Sequence, residues 1–78
     1  MKQKKVIQNT ETGLYLRAIN LMGGNSGLRP LAWSSFTRHA IQLENDEEAH
    51  ATITFIGSVI DWELEEHLKI VAVEVSNG

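Results

Sequence analysis

Seventy-eight residues without a cysteine make one domain that neither disulfides nor thiolate metal sites can hold together. Its core must come from the 42% of residues that are apolar, alone or completed by a second copy, and a single proline argues against a disordered chain. The net charge is −3, from ten acids against seven bases, and the folded middle is acidic, which disfavours nucleic acid as a partner.

Lys2, Lys4 and Lys5 crowd the start. No apolar segment follows them, and no run approaches the roughly 18–20 residues of a membrane span. Neither a signal peptide nor a membrane partner is expected. Val6 to Asn9 reads as a strand. Thr10 to Gly13 reads as a tight turn in which Gly13 supplies a positive φ. Leu14 to Leu21 is then the second strand of a hairpin. Leu14, Leu16, Ala18 and Asn20 alternate with Tyr15, Arg17, Ile19 and Leu21. Neither set is polar throughout, as in a central strand partly covered on both faces.

Met22 to Pro30 holds three glycines, Gly23, Gly24 and Gly27. A phosphate loop would need a Lys-Ser/Thr pair after its glycines, and a dinucleotide site would need Gly-x-Gly-x-x-Gly; both are missing. The stretch reads as a connecting loop. Met22 and Leu28 flank its tip and Arg29 sets a cation beside it, a combination suited to partner contact. Leu31 to Trp33 is extended. Ser34 to His39 reads as one helical turn capped by Ser34 or Ser35, and Ala40 to Leu43 is extended again.

Asn45 offers a helix N-cap. Asp46, Glu47 and Glu48 fill the first turn, at the positive end of the helix dipole. Ala49, Thr52, Ile53 and Ile56 recur at helical spacing, and Gly57 is placed as the C-terminal cap. Ala51, Ile53 and Phe55 also alternate with Thr52 and Thr54, a strand pattern, but the agreement of cap, acidic turn and glycine favours helix. Ile60, Trp62 and Leu64 alternate with Asp61, Glu63 and Glu65, which predicts a strand with one apolar and one acidic face. Leu68 to Val75 is the clearest strand, and its apolar content predicts an interior place in the sheet. The expected fold is α+β: a small, mostly antiparallel β-sheet with one helix packed across it.

The order of these features, with the turn at Thr12-Gly13, then Trp33, Ala40 and Leu43, the helix start Asp46-Glu47-Glu48-Ala49 and the closing strand Leu68 to Val75, resembles small uncharacterised phage and prophage proteins of Gram-positive bacteria. Those proteins are built as a hairpin, a helix and a closing strand. The resemblance implies a phage accessory protein in the cytoplasm of a bacterial host cell, and it brings no catalytic residues with it.

Signals for chemistry are sparse. Glu47 and His50 share a helix face, but a di-iron bundle would need a second such pair and further glutamates on four helices. No His-x-His or His-x-x-x-His spacing exists, so no metal and no cofactor are expected. Ser34, Ser35 and His39 are close in sequence, without a cysteine or a nucleophile elbow to support covalent catalysis. Carboxylates two apart on a strand lie about 6.6–7 Å apart. Asp61, Glu63 and Glu65 could thus imitate a nucleic-acid strand, or simply form a solvated face that keeps a strand from aggregating. Trp33 and Trp62 are core residues on a first reading; exposure of either would mark an interface.

The sequence thus points to a non-enzymatic interaction protein, a homodimer by preference, that binds a host protein such as a component of a defence system. Its candidate contact residues are Met22, Leu28, Arg29, Trp33, Asp61, Trp62, Glu63 and Glu65. The alternative is a sponge-like binder of a small ligand or nucleotide at a dimer seam. It would use Arg17, Gly24, Asn25, Ser26 and Arg29.

Overall fold

The computed structural model describes residues 2–20 and 31–75. Strand β1 (Lys2–Asn9) leads through a turn into β2 (Tyr15–Ile19). The Asn9 side chain closes the turn by accepting the Glu11 N–H at 2.9 Å, and Gly13 takes φ 77°, as the hairpin requires. Strand β3 (Leu31–Ser34) pairs with β2, and β4 (Leu68–Val75) pairs with β1 over its whole length. The result is a four-stranded antiparallel sheet in the order β3-β2-β1-β4. Helix α1 (Asp46–Phe55) carries the chain from the β3 side to the far edge, so the expected α+β architecture is the observed one.

The central strand is buried on both faces. Ile7 is 1% and Val6 0% exposed, although alternation points them to opposite sides. Ile7 joins Leu16 and Leu31 from the sheet and Ile53 and Ile56 from the helical arm in one cluster. A bulge between Leu16 and Ala18 shifts the pairing of β2. It breaks the alternation expected for this strand and lets both Leu16 and Ile19 reach the core. Lys4 and Lys5 are not a free basic tail. Lys4 pairs with Glu44, and Lys5 lies 3.5 Å from Asp46 at the start of α1.

Asn45 is the α1 cap: its Oδ1 accepts the Glu48 N–H at 2.9 Å. This settles residues 50–56 as helix rather than strand. Gly57, however, does not end the helix. The chain continues into a π-helical turn (Ile56–Ile60), closed by the Asp61 N–H donating to the Ile56 carbonyl at 2.9 Å. Burial drives this continuation. Ala49, Ile53, Ile56 and Ile60 then form one stripe against the sheet. Asp61 next caps a short helix, α2 (Trp62–Glu65), with its Oδ1 accepting the Glu63 N–H at 3.0 Å.

Three further expectations are corrected. The predicted acidic strand over residues 60–65 is the end of the π turn and α2, because Ile60 and Leu64, four apart, both pack on the core while Trp62 does not. The strand Leu68–Val75 lies at the edge of the sheet rather than inside it. The helical turn near Ser34 is a 3-10 turn over Thr37–His39 without a side-chain cap; the Ser34 hydroxyl instead accepts the Phe36 N–H at 3.1 Å, ahead of that turn.

Gly57 has a reason other than capping. A Cβ there would stand 2.9 Å from the Glu65 Cβ and 1.9 Å from its Oε1, because α2 folds back over this position. A Gly57→Ala substitution is expected to push α2 off the arm and to cost about 1–3 kcal/mol, the usual range for overpacking. Denaturant unfolding measures it; an unchanged midpoint would show that α2 is not held against Gly57.

Candidate functional site

The hydrogen-bond directions of β1 determine what β4 offers to solvent. Lys5 exchanges both backbone bonds with Leu43, each at 2.8 Å, and Asn9 donates to Leu14 and accepts from Gly13 on that same side of β1. The odd residues of β1 therefore turn their backbone groups away from β4, and Lys4, Val6 and Gln8 turn theirs toward it. Their partners are Val73, Val71 and Lys69. Leu68, Ile70, Ala72 and Glu74 consequently aim their N–H and C=O groups outward, where no strand among the described residues meets them.

A groove of about 380 Å³ runs beside this edge. Helix α1 contributes His50 and Ile53. The α2 segment contributes Trp62, Glu65 and Glu66, and β4 contributes Leu68, Lys69 and Ile70. Ile53, Leu68 and Ile70 belong to or pack on the core cluster, so the groove floor is anchored from below. Trp62 is 76% exposed, the most of any large apolar side chain described, and Val59 is 59% exposed on the preceding turn. The local reason is the Asp61 cap. It restarts the chain as α2 after the π turn, so that Leu64 faces inward and Trp62 outward.

The sequence-predicted contact residues separate in the structure. Trp62 and Glu65 line the groove, with Asp61 and Glu63 exposed beside them. Asp61, Glu63 and Glu65 do not form the evenly spaced acidic row that a strand would produce, because they lie on the cap and a single turn of helix. Trp33 is half-buried and packs against the core. Met22, Leu28 and Arg29, with Gly24, Asn25 and Ser26 of the ligand-binding alternative, lie outside the described residues; Arg17 is exposed on β2. His50, Ile53, Glu66, Leu68, Lys69 and Ile70 were not anticipated as site residues. For Leu68, Lys69 and Ile70 the signal was the apolar strand Leu68 to Val75, which becomes informative only when its edge position is known; His50, Ile53 and Glu66 join them only through the fold.

Ser34 Oγ lies 3.5 Å from His39 Nδ1, at the limit of a hydrogen bond, and the hydroxyl already accepts a backbone N–H. That is turn chemistry. Among the described residues no group of three or more His, Asp and Glu is placed to hold a metal ion, and no helix is long and apolar enough to cross a membrane. Comparison with protein-family models, with curated proteins and with solved structures finds no match.

The two tryptophans are expected to behave oppositely. Trp62→Ala should change stability by no more than about 0.5 kcal/mol, as for an exposed side chain, whereas Trp33→Ala should cost roughly 2–3 kcal/mol. In a Trp33→Phe variant the remaining fluorescence should be red-shifted and readily quenched by acrylamide. A blue-shifted, protected Trp62 would mean that this ring is packed rather than presented.

Proposed function

We propose that this chain is a small non-enzymatic interaction protein whose contact surface is the groove between the helical arm and β4, centred on Trp62. The exposed Trp62 carries the reading. A domain of this size gains nothing in stability from an indole left in water, while tryptophan is strongly enriched among residues that dominate protein interfaces. The groove supplies the surrounding features of an interface: an apolar floor of Ile53, Leu68 and Ile70, and a charged rim of Glu65, Glu66 and Lys69. The resemblance to phage and prophage proteins supports a phage-derived accessory factor acting on a host protein in the bacterial cytoplasm. Its mechanism is occlusion of the partner's own surface, with the acidic rim speeding association with a basic counterpart.

A photoactivatable amino acid in place of Trp62 tests this in a Gram-positive bacterial cell. Irradiation should yield a discrete adduct with another protein, and the same probe at Ala32, exposed on the opposite side of the sheet in β3, should yield none. No adduct from position 62, or one equally strong from position 32, overturns the reading.

A further inference from the structure

Resting on that reading, we infer that the occupant of the groove is an extended peptide segment of its partner, apolar at alternate positions and basic at its ends, which adds as a fifth strand to the outer edge of β4. Three features of the molecule converge on this ligand class. The first is the edge. Leu68, Ile70, Ala72 and Glu74 present their backbone groups in a row, spaced about 6.6–7 Å apart, the repeat of an incoming strand. At eight residues β4 is long for an edge strand, and the described residues show no bulge or proline in it.

The second is the position of the groove. Its floor includes Leu68 and Ile70, whose backbone groups belong to the outward set, and its wall is α1 with Trp62. A strand laid on β4 sends every second side chain toward the helical side of the sheet and into this groove. Backbone bonds then supply affinity, and the pocket selects side chains.

The third is charge. Glu65 and Glu66 stand near the Leu68 end, with His67 Nε2 3.5 Å from Glu66 and His50 across the groove, and Glu74 stands near the other end; Lys69 is the one lysine or arginine of β4. The exposed Trp62 ring can also receive a cation on its face. Lysine or arginine at the ends of the segment answers both. A second copy of this chain fits less well. A two-fold axis through a β4–β4 seam keeps residues of one face together. Registers that use most of the strand therefore bring each copy's Glu74 beside the other's Leu68 or Ile70, next to Glu65 and Glu66.

The test pans the full chain against a displayed library of random peptides matched in length to the eight residues of β4. Enriched sequences should alternate apolar residues and carry Lys or Arg at their ends. The most enriched sequence is then made as a synthetic peptide and titrated against two variants. Ala72→Pro removes an outward N–H without touching a β1 bond, and it should weaken binding by roughly tenfold or more. Glu66→Gln should weaken it a few-fold and flatten its salt dependence. If Ala72→Pro does not fold, the peptide methylated on alternate backbone amides replaces it: one phase should lose binding about tenfold and the other should keep it. Wild-type affinity for Ala72→Pro and for both methylated peptides overturns strand addition. So does an unenriched library, or a dimer of the chain that Ala72→Pro dissociates. A cross-link at position 62 alongside any of these outcomes leaves the interaction surface standing and removes only the peptide; loss of both removes the surface itself.

Discussion

Everything described depends on the ladder between β1 and β4. Its register runs unbroken from Lys2 opposite Val75 to Asn9 opposite Leu68. One physical rule then governs both sides of β1. A residue in an antiparallel strand directs its N–H and C=O to one side only. Lys5 and Asn9 give theirs to Leu43 and to the hairpin, so the even residues between them must serve β4. The same rule carried one strand further leaves every second residue of β4 with outward donors and acceptors.

The helical arm then decides what lies beside that edge. A regular helix ending at Gly57 would leave Ile60 without a place in the core. The π turn extends the buried stripe by one more residue, and it shifts the chain enough for Asp61 to cap a new turn. The absence of a Cβ at Gly57 lets Glu65 lie against the arm. Trp62 is thereby held outside the core although its neighbours Ile60 and Leu64 are inside. The exposed ring and the free edge thus have separate causes, and they meet because β4 follows α2 after only a short connection.

Charge has a similar double character. As a string, the chain has a basic start and an acidic middle. In the fold, Lys4 and Lys5 meet Glu44 and Asp46, so the beginning of β1 is tied to the segment that leads into α1. Exposed pairs of this kind contribute at most about 1 kcal/mol each. Beside β4, Glu11 and Glu66 lie 3.4 and 3.5 Å from His67 Nε2, Glu65 lines the groove and Glu74 lies on the strand itself.

The local rules were legible in the residues themselves. The turn at Gly13, the Asn45 cap with its acidic first turn and the strand character of Leu68 to Val75 all depend on neighbours within a few positions, so composition and spacing sufficed. Two features were not legible, each for a stated reason. Spacing of four between Ile60 and Leu64 satisfies a two-residue and a helical period alike, and only burial of these two with exposure of Trp62 separates them. An apolar strand reads the same whether a neighbour strand or a helical arm covers it, so the edge position of β4 came from the crossing of α1 over the sheet. The sequence by itself determined the class of fold, the hairpin and the start of the helix, because these are local hydrogen-bonding and steric requirements. Only the tertiary structure decided which strands lie at the edges of the sheet and which aromatic ring faces water, because pairing order and burial are settled between residues far apart in the chain.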